Sequence, residues 1–303
     1  MTTVLLNAYQ RESVLTAEGR SKVSGSLDLD FEFDALLGST IMAAGTQEPP
    51  LRVVRMFRLE DGSALVHLHN VSGGLLGGDI LRISVKVGAG ACVQLTSTGA
   101  TRVYRSREDR PATTQINHFS VGENGLLEYV PDAIIPYAKA RFCQETTIDL
   151  AAGAGLFWWE VLAPGRSARG ELFEYEHVEL KTDLQAEGKS IATERVRLDP
   201  SRRELASIAR LGPYRYWVTF YIVRVGFGSG VWLAAEEKLR EAIRPFLRPG
   251  VVVWGVSALP AHGLAVRGLA RSGCELLAEL RRIWTVAKLH LYGREPIPPR
   301  KVN

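Results

Sequence analysis

The sequence has little cysteine and no long apolar run. It holds three cysteines, Cys92, Cys143 and Cys274, with no C-x-x-C pair, which excludes a readable disulfide framework or zinc knuckle. No apolar stretch reaches the ~18 residues that a membrane span needs, and the run Val4–Leu6 is too short for a signal-peptide core. These absences favour a reducing compartment, and we expect a cytoplasmic protein.

Common catalytic motifs are also missing. There is no G-x-S-x-G and no H-E-x-x-H sequence. Gly188-Lys189-Ser190 resembles the end of a phosphate-binding loop, but Asp183 stands where that loop requires a glycine. If nucleotide hydrolysis belongs to the function, we therefore expect a partner to supply it.

Charge gives little support for nucleic-acid binding. The formal net charge is +4, and the basic residues are scattered instead of being interleaved with aromatic residues on one face. The composition, 46% hydrophobic and 23% charged, is that of an ordinary globular protein, and a chain of this length can bury a sizeable core.

Period-two alternation predicts a mainly β body over residues 23–212. Residues 1–22 show no clear period and are interpreted as a loose leader, whereas apolar and acidic residues alternate from Gly25 to Asp34. Further Val- and Leu-rich segments follow at intervals of roughly 10–15 residues, which favours stacked sheets, as a sandwich or a coil of sheets. The segments are Leu51–Leu59, Ala64–His69, Ile80–Val87, Cys92–Thr98, Thr113–Val121, Gly125–Val130, Arg141–Leu150, Gly155–Leu162 and Leu172–Leu180.

The pattern changes near Pro213, and residues 213–303 predict a β-α-β-β-α portion packed on the body within one continuous domain. Helical spacing is predicted for Val231–Leu247, and a last helix is expected to begin after Ser272, with Glu275 completing a capping box. The strands predicted here are Tyr214–Val225, Val251–Ala258 and Leu264–Ala270.

Two acidic residues stand in strands that are otherwise apolar on both faces, Glu128 and Glu160. Because such strands are normally buried on both faces, each carboxylate must meet an arginine, take up a proton or face a wet interior passage. An unpaired buried carboxylate would cost several kcal/mol. Available arginines are Arg141, Arg166 and Arg169, and further acids at strand margins are Asp132 and Glu171.

A glycine cluster, Gly73-Gly74-Leu75-Leu76-Gly77-Gly78, ends at Asp79. Such a cluster indicates backbone torsions or close approaches that a Cβ would block. It is either a tight turn between strands or a loop that touches another chain or lines a passage. His67 and His69 lie two apart on a predicted strand and share a face, which permits a metal pair but offers no third ligand nearby.

The residues alone leave three functions open. One is a carboxylate-lined ion route. Another is a carbohydrate-active enzyme with Glu128 and Glu160 as acid and base, about 5–10 Å apart in an open cleft. The third is a β-sandwich binding module whose buried acids are paired with arginine.

Six blocks occur in a fixed order along the chain. They are Asn70–Asp79, Thr98–Ser106, Leu127–Tyr137, Ala140–Phe142, Trp159–Arg166 and Arg169–Phe173. The first fits the pattern N-x-S-G-G-L-L-G-G-D, and together the blocks resemble the UreD/UreH family of urease accessory proteins. Three positions differ from that family: Arg102 stands where lysine is usual, Ala133 replaces a common proline, and the C-terminus lacks an aromatic residue that often follows Pro299-Arg300.

The resemblance implies a non-enzymatic urease maturation factor of stacked sheets and a few helices. It also implies binding to the urease subunits and to a helical accessory protein (UreF type), which carries a nickel-binding GTPase (UreG type). No membrane, nucleic acid or permanently bound cofactor is expected, only Ni²⁺ in transit through an internal tunnel. Scattered oxygen ligands suit such transit, because several His or Cys ligands would release the ion slowly.

The hypothetical site residues fall into two sets. The proposed nickel path comprises Asp79, Glu128, Asp132, Glu160 and Glu171. The proposed partner contact comprises Gly73, Gly74, Gly77, Gly78, Arg102, Tyr104 and Arg105.

Overall fold

The computed structural model describes residues 23–299, so the predicted leader lies outside the described part. Two α-helices occur there, α1 (Ser229–Ile243) and α2 (Gly273–Tyr292), and neither is long and apolar enough to span a membrane. The strands are β1 Ser24–Asp34, β2 Ser39–Gln47, β3 Leu51–Arg52, β4 Met56–Arg58, β5 Ala64–Asn70, β6 Ile80–Val87, β7 Cys92–Ser97, β8 Thr101–Val103, β9 Thr113–Val121, β10 Leu126–Tyr129, β11 Ile134–Pro136, β12 Arg141–Leu150, β13 Gly155–Leu162, β14 His177–Ala186, β15 Lys189–Leu198, β16 Tyr216–Arg224, β17 Val252–Ala258 and β18 Gly263–Ala270.

The strands form two stacked sheets, which confirms the predicted mainly β architecture. The first has seven strands in the order β15-β14-β12-β9-β6-β1-β2. The second has eleven, with the path β17-β18-β16-β13-β10-β7-β5-β3 and with β4, β8 and β11 attached beside it. Both predicted helices are present, and the strands that follow Pro213 extend the second sheet through the antiparallel pair β13–β16.

The body is a coil of sheets, hereafter the coil, because the chain winds from one sheet to the other with almost every strand. From β5 onward it visits the second and first sheets in turn through β6, β7, β9, β10, β12, β13 and β14. Neighbours such as β6–β9 and β9–β12 are consequently parallel. Parallel neighbours need a crossover connection, and here a strand of the opposite sheet supplies it.

Two apolar cores result from this layering. The first lies between the sheets and contains Phe119, Phe142 and Trp158. The second lies between the larger sheet and the two helices and contains Trp159 and Trp284. Strand β13 is therefore buried along its whole length, with alternate residues entering the two cores.

The unpredicted strands β2 and β15 are the two edges of the seven-stranded sheet. Both are largely exposed, so they lack the apolar period that identified the other strands. The predicted strand Leu51–Leu59 is divided into β3 and β4, and the strand predicted at Leu172–Leu180 begins later, at His177.

Helix ends differ slightly from the predictions. Helix α1 ends at Ile243 and continues as a 3₁₀ turn around Pro245, because proline lacks the N–H of an α-helical hydrogen bond. Ser272 is the N-cap residue of α2, but its side chain makes no capping hydrogen bond. Glu275 instead accepts a hydrogen bond from Arg248 Nη2 at 2.9 Å, so the predicted capping box is wrong.

Candidate functional site

The glycine loop, residues 73–78, is fastened to β8. The Leu75 amide donates to the Arg102 carbonyl at 2.8 Å, and the Tyr104 amide donates to the Leu75 carbonyl at 2.8 Å. A Cβ on Gly74 would lie 2.5 Å from Tyr104 Cε2 and 2.8 Å from the Arg102 oxygen. The glycine at this position is therefore required by a close approach within the chain itself.

The predicted partner-contact residues lie together around this loop. Arg102 Nη1 and the Tyr104 hydroxyl both approach the Gly73 carbonyl, at 3.4 and 3.2 Å. The Arg102 and Arg105 side chains are exposed. We call this region the glycine-loop surface; it comprises Gly73, Gly74, Gly77, Gly78, Arg102, Tyr104 and Arg105.

A cavity of about 240 Å³ lies beneath the loop, at one end of the space between the sheets. Gly73 and Gly74 border it on the loop side, and His69 borders it from β5. Gln115 of β9 and Tyr129 of β10 line it from the two sheets. The cavity therefore connects the glycine-loop surface with the interior of the coil.

A row of buried polar side chains leads inward from this cavity. Gln115 Nε2 donates to Asn117 Oδ1 at 3.0 Å, and Asn117 Nδ2 donates to Thr146 Oγ1 at 3.1 Å. Gln144 stands directly beside Gln115 in the β9–β12 register, and its side-chain amide donates to Glu160 Oε1 on the opposite sheet. We call these five residues the polar seam.

Glu160 is the carboxylate of the seam and is 7% exposed. Burial raises its pKa to about 7, while the hydrogen bond from Gln144 opposes the shift and the charge of Glu194 adds to it. Of the three environments expected from the sequence, an arginine partner is not found among residues 23–299, and the side chain that donates a hydrogen bond to Glu160 is Gln144. Glu160 is therefore poised to gain or lose a proton near neutral pH.

A second cavity, of about 120 Å³, lies on the other side of the Gln144–Glu160 hydrogen bond. In the seven-stranded sheet Gln144 is beside Leu180, which is beside Val196, and Val196 lines this cavity. Trp217 of β16 borders it from the facing sheet. In the register of this sheet, Gln144 therefore lies between Gln115, which lines the first cavity, and Val196, which lines the second.

Glu128 lies on the other face of the larger sheet from Glu160. It points toward α2, where it accepts hydrogen bonds from Lys288 Nζ at 2.6 Å and Trp284 Nε1 at 2.8 Å. Lys288 is 2% exposed, so this is a buried ion pair whose cation is lysine, not the arginine that was one of the three environments expected from the sequence. Burial raises the pKa of Glu128, although Lys288 opposes the shift.

Two other predicted acids lie near the glycine-loop cavity. Asp79 is buried at the end of the loop, where its carboxylate accepts the Leu76 amide at 2.8 Å and where burial raises its pKa. The Asp132 amide donates to the Ser97 hydroxyl at 2.8 Å, and Ser97 lines the cavity.

Glu171 is tied to Arg166 by two hydrogen bonds, one of 2.7 Å from Arg166 Nε to Glu171 Oε2. These bonds lower the pKa of Glu171. The Arg166 guanidinium also lies 4.3 Å from the ring centre of Tyr137. The structure therefore does not bring Glu171 together with the seam.

Preformed chelating groups are not found in residues 23–299, where no three His, Cys, Asp or Glu side chains are placed to hold one metal ion. His67 packs edge-on against Phe57, with ring centres 5.8 Å apart. Burial lowers the pKa of His69. The Gly188-Lys189-Ser190 segment belongs to the β14–β15 hairpin, in which Glu187 and Gly188 both have positive φ.

Comparison with known proteins decides the family. The model of the UreD urease accessory protein family matches residues 23–303. The chain belongs to the UreD family. Relatives carry the name urease accessory protein UreD: one from Herpetosiphon aurantiacus is 44% identical over 287 residues, covering 95% of this chain and 99% of the relative. Another, from Deinococcus radiodurans, is 34% identical over 286 residues and covers 93% of this chain and 96% of the relative.

Sequence reasoning about this UreD-family chain missed the four uncharged residues of the polar seam. Gln115, Asn117, Gln144 and Thr146 occupy inward positions of β9 and β12 that elsewhere hold apolar residues. A polar residue at an inward position of an alternating strand was the available signal. Lys288 carried a similar signal, as a cation among the apolar residues of α2.

Proposed function

We propose that this UreD-family chain is a non-enzymatic scaffold of urease maturation that passes Ni²⁺ between its two sheets toward apo-urease. The observation that carries the proposal is the polar seam, whose Gln144–Glu160 pair lies between residues that line two cavities. Family membership supports the link to urease. The ion is cargo, and no resident cofactor is part of the proposal.

The chemistry of the seam suits an ion that must move on. Its donors are amide and hydroxyl oxygens and one carboxylate, which bind Ni²⁺ more weakly than a cluster of His or Cys ligands. With a pKa of about 7, Glu160 releases its proton at little cost when a cation arrives and takes it back when the cation leaves. Gln144 holds the carboxylate in place between the two cavities.

The route includes fewer of the acids than the sequence indicates. We retain Glu160 in the seam, and Asp79 and Asp132 near the cavity beneath the glycine loop. The contacts of Glu128 with Lys288 and of Glu171 with Arg166 favour structural roles for those two acids.

The glycine-loop surface is the proposed site of contact with partner proteins. The glycine-loop surface offers exposed arginines beside the cavity mouth, which suits a protein contact at the point where the ion would cross. We propose that the complex contains the urease subunits and a helical accessory protein (UreF type). The nickel-binding GTPase (UreG type) would join through the helical protein, in the cytoplasm.

The test is Glu160→Gln in a reconstituted activation assay with apo-urease, the helical protein, the GTPase and Ni²⁺. Glutamine keeps the size of the side chain but cannot ionise, so we expect urease activity and bound nickel to fall on the order of tenfold with the complex intact. Glu279→Gln is the matched control, because Glu279 is also buried and accepts a hydrogen bond from Trp254 on the helical side of the sheet. If Glu160→Gln supports normal urease activation, the proposed ion route is wrong and only a docking role remains.

The carbohydrate-active alternative is not supported by the geometry. An acid and base that cleave a glycosidic bond must face one cleft. Leu126 and Val130, two residues before and after Glu128, lie in the core beside the helices, whereas Leu162, two residues after Glu160, lies in the core between the sheets.

A further inference from the structure

The turn between β1 and β2 displays apolar side chains to solvent. Leu36 is 98% exposed, Leu37 is 55% exposed and Phe33, at the end of β1, is 47% exposed. Isolated apolar residues on a surface are ordinary, but three at one tip form a patch that is typical of a protein contact.

The tip is held in a defined conformation. The Asp34 carboxylate accepts the Leu36 amide at 2.8 Å and the Leu37 amide at 3.0 Å. From the second sheet, Arg58 Nη2 donates to the Leu37 carbonyl at 3.1 Å. A prearranged turn loses little conformational freedom on binding, so the two leucines are suited to act as anchors.

The hairpin is also strongly acidic relative to the rest of the chain. Residues 24–47 contain no lysine or arginine, although the whole chain has a net charge of +4. Its acids alternate along β1 on the face away from the core: Asp28, Asp30, Glu32 and Asp34. This row favours a partner whose contact surface is basic.

The tip and the glycine-loop surface lie at opposite ends of the coil. Strand β1 runs parallel to β6, from Ser24 beside Ile80 to Phe31 beside Val87. The glycine loop immediately precedes Ile80, whereas the hairpin turn lies beyond the level of Val87. Eight strand residues separate the two levels by about 25 Å, so one small contact cannot cover both.

We propose that the β1–β2 hairpin tip is a second docking element, which inserts Leu36 and Leu37 into an apolar pocket bordered by lysine or arginine on a partner protein. The proposal rests on the scaffold role proposed above, and it gives the scaffold two contact surfaces at opposite ends. A second copy of this chain docked tip to tip is disfavoured, because Glu32 and Asp34, the acids nearest the tip, would approach the same acids of the other copy.

The test measures the affinity of the full chain for purified apo-urease and, separately, for the helical accessory protein. The variant is the pair Leu36→Ser and Leu37→Ser, and the control is Ile208→Ser, which alters a side chain that is 96% exposed elsewhere. We expect the double variant to bind one of the two proteins at least about tenfold more weakly. The control should bind both as the unchanged chain does.

Charge is tested by Asp28→Lys with Glu32→Lys, both of which are exposed. We expect slower association with the same protein and a weaker dependence of the rate on salt.

Unchanged affinity of the leucine variant for both proteins would overturn the inference while the scaffold role stands. If the unchanged chain binds neither protein, the scaffold role itself fails. Loss of self-association alone would assign the tip to a second copy and also overturn the proposal.

Discussion

The side-chain amide of Gln144 donates a hydrogen bond to the carboxylate of Glu160 across the space between the two sheets. The bond joins β12 of the seven-stranded sheet to β13 of the larger sheet, and in the strand register Gln144 lies between residues that line the two cavities. The hydrogen bond links the stability of the coil to the ionisation of Glu160. The pKa of Glu160 can therefore be tested by unfolding the chain without a partner protein.

Glu160 should make stability depend on pH. Its pKa rises from 4.5 to about 7 on folding, so below the lower value both states are protonated and Glu160 adds no difference. Between the two values the unfolded state ionises first and stability falls as pH rises, by about 3 kcal/mol in total. Glu160→Gln removes this loss. The free energy of unfolding of this variant, measured in urea, minus that of the unchanged chain should increase from about pH 4 to about pH 8.

An exposed substitution, Glu145→Gln, provides the control for this pH series. It should leave the shape of the pH profile unchanged. If the difference in the free energy of unfolding between Glu160→Gln and the unchanged chain stays constant over the same pH range, burial does not shift the pKa of Glu160.

Gln144→Leu should destabilise the protein most at pH values where Glu160 is ionised. Leucine removes the amide donor and leaves a buried carboxylate without its partner, which costs about 1–3 kcal/mol. In a double-mutant cycle with Glu160→Leu, measured by urea unfolding near pH 8, the two losses should not add. Additive losses would mean that the two side chains are energetically independent.

Lys288→Ala should be strongly destabilising, because it leaves the buried carboxylate of Glu128 unpaired. The expected loss in the free energy of unfolding is about 3–5 kcal/mol. Lys288→Met together with Glu128→Leu replaces the pair with apolar side chains of similar size and should recover most of that loss. A single variant as stable as the unchanged chain would contradict the ion pair.

Gly74→Ala should destabilise the glycine loop, because the new Cβ would lie 2.8 Å from the Arg102 carbonyl oxygen. The expected loss is about 1–3 kcal/mol, measured by thermal or urea unfolding. Gly230→Ala is the matched control. Gly230 lies in the first turn of α1 with nothing near its Cβ position, so alanine should leave stability unchanged or raise it by up to about 1 kcal/mol.

Sequence patterns predicted the interior of the fold better than its edges. Strands such as β6, β9, β12 and β13 have one or both faces in a core, so burial selects apolar residues at a regular period. The edge strands β2 and β15 bury little, and their sequences carry no comparable signal. The pairing of parallel strands from alternate turns of the coil has no local signature either, because it joins residues far apart in the chain.

The candidate site could be predicted only in part for the same reason. Glu128 and Glu160 look alike in sequence, each a lone acid in an apolar strand, and both were correctly expected to be buried. The identity of their partners was not predictable, since Lys288 stands 160 residues from Glu128 and reaches it only by the packing of α2 on the sheet. Gln144 meets Glu160 only because the two sheets stack.

The sequence by itself determined the mainly β architecture, the glycine loop, the two helices and the UreD family, because each depends on local periodicity or on ordered motifs. Only the tertiary structure decided which face of a sheet each carboxylate occupies and which side chain it meets. A buried charge takes whichever partner the packing of layers places within hydrogen-bond distance, and that packing depends on contacts between distant parts of the chain.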